Sequence, residues 1–194
     1  MKLFCTLLFA LFVGQASAGP IDDALAAWAR GDYAAELKIT RPLALKGEAW
    51  AQTNLGDSYA DGKGVAQNDA EAVKWYRLAA AQGNVRAQFK VGLMYKNGQG
   101  VLQDYVEAVK WYRLAAAQGY EIAQFNLALM YKNGQGVLQD NIKAHAFYNW
   151  AASKGLVIAA DDRDIVANLM TPQQIAEAQK LARDCLPRNF KGCE

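Results

Sequence analysis

The chain has 194 residues, 53% of them apolar, enough for one ordinary core and too apolar for a disordered polyelectrolyte. Its 21 Lys and Arg against 19 Asp and Glu leave a net charge of +2, which gives no steering toward DNA, RNA or anionic lipid. No nucleic acid is therefore expected as a partner.

Residues 1–18 read as a signal peptide. Lys2 supplies the positive start, Leu3 to Val13 form an apolar run, and Ala16-Ser17-Ala18 gives the small-x-small pattern that signal peptidase accepts. The run is shorter than the ~20 residues that cross a bilayer, so no membrane insertion is expected after its removal. Cleavage after Ala18 would leave Gly19 as the mature start, in the periplasm or outside the cell. Cys5 rules out a lipoprotein by order, since a lipidated cysteine follows the apolar core. Residues 19–47 then carry two helical patterns, Ile21–Arg30 and Tyr33–Lys46, split by Gly31-Asp32. They read as an N-terminal capping pair.

A 36-residue period follows. Trp75 to Gly119 contains one string twice, Trp75–Gly83 and Trp111–Gly119, and Met94–Asp104 recurs unchanged as Met130–Asp140. Three units result: 48–83, 84–119 and 120–155. A period of this size marks a solenoid in which each unit buries its apolar face against the next. Within the second unit, Ala87, Val91, Met94 and Tyr95 predict a helix over ~85–96. Gly98 and Gly100 stop it, Val101 plugs the core under the loop, and Asp104 caps a second helix over ~105–118. The third unit departs from the others at His145, Phe147, Asn149 and Trp150, as a terminal unit with different neighbours would.

Residues 156–194 predict a helix over ~158–169 and another over ~172–184, the latter started by Thr171 as N-cap and Pro172 at its first position. Its inward residues are expected to be Ile175, Ala178, Gln179, Leu181 and Ala182. Cys185 and Cys193 lie in this terminal segment. In an oxidising compartment they are expected to form a disulfide, worth ~2–3 kcal/mol for so short a loop. The alternative is two free thiols.

No constellation for catalysis is visible. His145 is the only histidine, and it stands where the other units have Val73 and Val109. No His/Cys/carboxylate group has metal spacing, so neither metal nor cofactor is expected. Gly62-Lys63-Gly64 and Gly98-Gln99-Gly100 recur at a helix–helix turn and so are structural, not phosphate loops. The acidic run Asp161-Asp162-Arg163-Asp164 could hold a cation; at the start of a helix it would instead complement the helix dipole.

The order Ala51, Leu55-Gly56, Tyr59, Gly62, Gly64-Val65, Glu71-Ala72, Trp75-Tyr76, Ala79-Ala80, Gly83 resembles the Sel1-like repeat family, a branch of the tetratricopeptide-type solenoids. The resemblance covers residues ~48–155. It implies an all-α fold, a right-handed α/α superhelix of antiparallel helix pairs, and a non-enzymatic scaffold or adaptor role. It also carries one enzymatic alternative, a β-lactam or peptidoglycan-related hydrolase. The members described that way have a cysteine pair in each repeat, which is missing here.

In related solenoids the first helix of each unit lines the concave groove. That implies a partner-binding face of Arg86, Phe89, Leu93, Lys96 and Asn97 in the second unit, and Ile122, Phe125, Leu129, Lys132 and Asn133 in the third. In the first unit it implies Trp50, Thr53, Asp57, Ala60 and Asp61. Phe89 and Phe125 sit at helical positions that admit either groove or core. The expected partner is a protein or peptide of the cell envelope, met by a monomer.

Overall fold

The computed structural model describes residues 19–185; the expected signal peptide and Cys193 lie outside them. The described residues form ten helices and no strand: α1 (Pro20–Ala29), α2 (Tyr33–Leu45), α3 (Ala49–Asp61), α4 (Asp69–Ala81), α5 (Val85–Asn97), α6 (Tyr105–Ala117), α7 (Glu121–Asn133), α8 (Asn141–Ser153), α9 (Val157–Ala167) and α10 (Pro172–Cys185). The pairs α3/α4, α5/α6 and α7/α8 are the three units; consecutive helices pack on one another from α1 to α9, and α10 packs back on α8. This is an α/α solenoid. No described helix is long and apolar enough to cross a membrane.

Local chemistry sets the helix ends. Gly62, Gly98 and Gly134 end the first helices in the left-handed conformation, at φ 68°, 69° and 67°. Asn68, Asp104 and Asp140 start the second helices, their side chains accepting from backbone N–H groups two or three residues on. The expected cap at Thr171 is also present: its hydroxyl accepts from Gln174 N–H at 3.3 Å while Gln174 Oε1 accepts from Thr171 N–H at 2.9 Å.

Alanine lets the helices close in. Ala72, Ala108 and Ala144, 36 positions apart, have no exposed surface. Between units, Gln52, Gln88 and Gln124 each donate to a carbonyl of the preceding second helix, those of Ala44, Ala80 and Ala116, at 3.2–3.3 Å. Gln82 and Gln118 donate in turn to Gln52 and Gln88, at 2.8 and 2.7 Å. The ladder ends in the third unit: Lys154 stands where the next glutamine would be, and the buried Oε1 of Gln124 has no partner.

The same periodic contacts reach back to α2. Gly64 packs on Tyr33 at the start of α2, as Gly100 packs on Asp69 and Gly136 on Tyr105. So α2 occupies a second-helix place, with Glu36, Leu37 and Thr40 where α4 has Ala72, Val73 and Tyr76. The capping pair is a unit whose inter-helix loop is cut to residues 30–32, against 62–68 in the first repeat.

At the other end, Trp150 replaces the half-exposed Leu114 and is buried, its indole N–H donating to the Ala182 carbonyl of α10 at 2.8 Å. Ala178, Ala182 and Cys185 form the buried face of α10. Gln179, expected inward, is exposed, because it lies beside this stripe and not on it. The acidic run also moves: α9 starts at Val157 and has no acidic residue in its first turn. It therefore does not serve the helix dipole. Asp164 pairs with Arg163 at 2.8 Å, and Asp162 approaches Lys132 at 3.8 Å.

Gly100 gives a direct test of the stacking. Its φ is +68°, and an added Cβ would lie 2.3 Å from the Asp69 carbonyl oxygen of the preceding unit. Neither strain can be relieved by a side-chain shift. Gly100→Ala is expected to destabilise by roughly 2–4 kcal/mol in chemical unfolding, whereas Gly119→Ala, with open space around its Cβ, should cost only the left-handed penalty of ~1 kcal/mol.

Candidate functional site

The first helices carry one continuous stripe at spacing i, i+4, i+7, i+11. In α5 it is Arg86, Lys90, Leu93 and Asn97; in α7, Ile122, Asn126, Leu129 and Asn133; in α3, Trp50, Asn54, Asp57 and Asp61. Every one of these is exposed or half-buried. The structure thus brings most of the expected residues together and adds Asn54, Lys90 and Asn126. A strict helical step of four from Arg86 would have reached Lys90 from the sequence.

Other expected residues stand off the stripe. Thr53 is buried and its hydroxyl donates to the Ala49 carbonyl at 2.8 Å, so it is not a groove residue. Phe89 and Phe125 are half-buried. Phe89 stacks on Tyr112 with centroids 5.7 Å apart and meets Tyr120 edge-on at 5.4 Å; Phe125 lies 5.5 Å from Tyr148. Both rings pack against second-helix tyrosines. Lys96 reaches across to Asn126 at 3.4 Å, and Lys132 to α9. Lys96 thus ties α5 to α7, and Lys132 ties α7 to α9.

The tyrosines explain a difference between units. Gly56 and Gly92 allow Tyr76 and Tyr112 to lie so close that a Cβ would be 2.6–2.7 Å from the ring. Tyr76 hydroxyl then donates to Asp57 at 2.7 Å. Position 57 becomes Leu93 and Leu129 in the next units, and the buried hydroxyls of Tyr112 and Tyr148 have no partner. Burial pushes all three phenols well above their usual range.

Asp57 is the most connected carboxylate of the stripe. Besides Tyr76, it pairs with Arg86 and lies 3.2 Å from Lys90 Nζ. It borders a cavity of about 280 Å³ at the N-terminal end of the stripe, also lined by Leu25, Trp28, Tyr33, Glu36, Ser58 and Lys63. Lys63 pairs with Asp61 at 2.9 Å and sits 4.3 Å above the Trp28 ring. Glu36 is buried, and burial raises its carboxyl pKa above the ordinary 4.5, with Thr40 and Ser58 hydrogen bonds opposing in part.

His145 takes the valine position of α8 and is buried. Burial first, and the Arg163 charge second, lower its pKa. It is not one of the residues that line the cavity. Among the described residues no group of three or more His, Cys, Asp or Glu could hold a metal ion.

With this geometry in place, comparison with known proteins fixes the class. The Sel1 repeat model matches residues 51–84, 85–120 and 122–156. The chain belongs to the Sel1 repeat family, whose fold is a repeat scaffold. It is similar to the Sel1 repeat protein from Oxalobacter formigenes, with a TM-score of 0.74 and 26% identity, covering 88% of this chain and 75% of that one. It is also similar to c5321, a protective antigen of uropathogenic Escherichia coli strains with an SLR fold, at TM-score 0.60 and 27% identity. That match covers 80% of this chain but 42% of the antigen. None of the curated proteins matches the sequence.

Two expectations follow. Tyr76→Phe should cost ~1 kcal/mol, since it strips Asp57 of a donor, while Tyr112→Phe should be neutral or stabilising because it removes an orphaned buried hydroxyl; urea unfolding of the two variants reads the contrast. Glu36 has the opposite sign from a salt-bridged carboxylate. Its raised folded pKa means that the stability Glu36 contributes is fully present below its ordinary 4.5 and is lost as pH rises through the raised folded value. Glu36→Gln is therefore expected to melt above wild type at pH 7, with the gap closing near pH 4.

Proposed function

We propose that the chain is a non-enzymatic scaffold of the bacterial envelope that binds a protein or peptide along the concave face of its solenoid. The observation that carries this reading is the first-helix stripe. It presents Leu93, Ile122 and Leu129 as a ladder, Ile122 37% exposed, edged by Asn97, Asn126 and Asn133 amides and by Arg86, Lys90, Lys96 and Lys132. Apolar anchors give affinity to a bound chain, amides satisfy its backbone, and cations meet its acidic groups. Family membership supports a scaffold role, and no nucleophile–base pair lies on the stripe. The envelope location rests on the Lys2–Ala18 pattern with cleavage after Ala18. A Cys185–Cys193 disulfide fits that compartment, with Cys185 buried against the last repeat, and the working form is taken as a monomer.

Leu93→Asp and Leu129→Asp test the reading without breaking the fold, because Asp57 already sits at that position in the first unit and accepts from its tyrosine. The double variant should melt near wild type yet lose the envelope proteins captured by wild type about tenfold or more. Leu78→Asp with Leu114→Asp, on the half-exposed outer positions of α4 and α6, should leave capture unchanged. Equal capture by both double variants would remove the first-helix face from the function.

A further inference from the structure

A second surface repeats, on the second helices. Lys38, Arg41 and Pro42 of α2 recur 36 positions on as Lys74, Arg77 and Leu78 of α4, and again as Lys110, Arg113 and Leu114 of α6. Spacing i, i+3, i+4 puts each set on one helix face. All are exposed except Arg113, which is half-buried and donates to the Tyr131 hydroxyl at 2.8 Å. The three helices lie side by side because both of their ends are tied. Just past their C-terminal ends, Gln82 donates to the Gly47 carbonyl and Gln118 to that of Gly83, at 2.9 and 3.1 Å. At their N-terminal ends, Gly64 packs on Tyr33 and Gly100 on Asp69. The sets therefore join into one row across α2, α4 and α6.

The row is basic although the whole chain is nearly neutral. Lys74 pairs with Glu71 and Lys110 with Glu107, one turn earlier on the same helix. In α2 that place is Ala35. Lys38, Arg41 and Arg77 have no ion-pair partner among the described residues. Lys38 and Arg41 also line an open hollow of about 350 Å³ with Pro42 and Val65. Beside these cations Leu45, Leu78 and Leu114 are 71%, 51% and 49% exposed. The third unit shows what the same face becomes when protein covers it. There α8 has Ala146, Asn149 and Trp150 at the corresponding places, α10 packs on α8, and the Trp150 indole donates to the Ala182 carbonyl. Ala146 and Trp150 are buried. Both cations of the set are gone where a helix lies over the face, and they are kept where the face is open.

We propose that the second-helix row of α2, α4 and α6 docks peripherally on an anionic phospholipid bilayer, with Lys38, Arg41 and Arg77 at the phosphates and Leu45, Leu78 and Leu114 among the headgroups. The proposal goes beyond the first-helix reading and does not depend on it. An anionic leaflet attracts basic side chains within a Debye length and accepts them at any spacing, which suits cations that no acid of the chain holds. Leucines between the lysine and arginine stems add apolar burial at the headgroup boundary. A folded acidic protein would set these leucines against carboxylates. A packed apolar helix would bury the charges that α8 has lost under α10. A charge near zero for the whole chain is compatible with the row, because screening makes the local charge the one that a surface feels.

Sedimentation with large vesicles tests the row on the protein purified without residues 1–18. Phosphatidylcholine vesicles are compared with vesicles in which roughly a third of the lipid is phosphatidylglycerol. The anionic vesicles should bind about tenfold or more tightly, and less so as NaCl is raised. Lys38→Gln with Arg41→Gln and Arg77→Gln should abolish the preference, and Leu78→Asp with Leu114→Asp should weaken binding to the anionic vesicles. Lys154→Gln with Lys180→Gln and Arg183→Gln removes as much exposed charge outside the row and should keep the preference, which separates a docking face from net charge. Both triple variants should melt near wild type, since exposed cations add little to stability. Equal binding to the two kinds of vesicle, binding to neither, or equal loss in the two triple variants would overturn the proposal. So would capture of an acidic protein that only the row variant loses, with no vesicle binding, because the row would then meet a protein and not a bilayer. None of these results bears on Leu93 and Leu129, whose own capture test decides the groove reading.

Discussion

The close approach of a tyrosine ring to a glycine decides both the packing of each unit and the chemistry of its inner face. Gly56 and Gly92 leave no Cβ between the two helices of their units, and Tyr76 and Tyr112 fill the place with their rings. A phenol held there has its hydroxyl at the level of position 57, 93 or 129 of the first helix. An aspartate at that position gains a buried donor and can then gather cations around it. A leucine leaves the hydroxyl without a partner and turns the same point into an apolar contact. One backbone constraint, repeated, thus produces a polar node in the first unit and an apolar ladder in the next two. In the third unit Ala128 stands in the glycine place while Tyr148 remains fully buried, so the contact tolerates a methyl there with some adjustment of the pair.

The fold was legible because each of its determinants is local and recurs. The left-handed glycines, the Asn and Asp caps and the alanine faces all appear in the sequence at a fixed spacing, and a repeat makes each signal visible three times. Thr171-Pro172 was legible for the same reason, since an N-cap acts within three residues. The acidic run of α9 was misread because the start of that helix lacks a capping side chain; its N-cap is Leu156, with no side-chain bond.

The site was legible only in part, and the reason is geometric. Phe89 and Phe125 look like groove anchors in a helical projection, but a projection of one helix omits the second-helix tyrosines that claim one side of each ring. Thr53 failed for the same reason, being closed in by the neighbouring elements. Lys90 went unread because a lysine between two core positions looks like solvated surface until Asp57, 33 residues earlier, is placed beside it. Contacts between units involve separations near the repeat length, and periodicity alone does not state which member of a unit meets which member of the next.

The cavity arises where the repeat fails. Thr40 stands in α2 at the tyrosine place of the register and Glu36 at the alanine place, so the first-helix glycine contact is replaced by a smaller side chain and a buried carboxyl. The loop before α2 is shortened to residues 30–32, and α1 brings Leu25 and Trp28 to the cavity. A perfect repeat would continue the groove with the same residues and the same charge balance. The departures do the reverse: they remove ring volume, bring Leu25 and Trp28 to the cavity, and add the buried carboxyl of Glu36 to its lining. In a solenoid each unit contacts only its neighbours, so such changes at the cap do not disturb the stack beyond α3 and α5. A terminal unit is therefore the place where a repeat protein can acquire a cavity at least cost to its fold, and the gathering of Tyr76, Arg86 and Lys90 around Asp57 forms part of the one at this end.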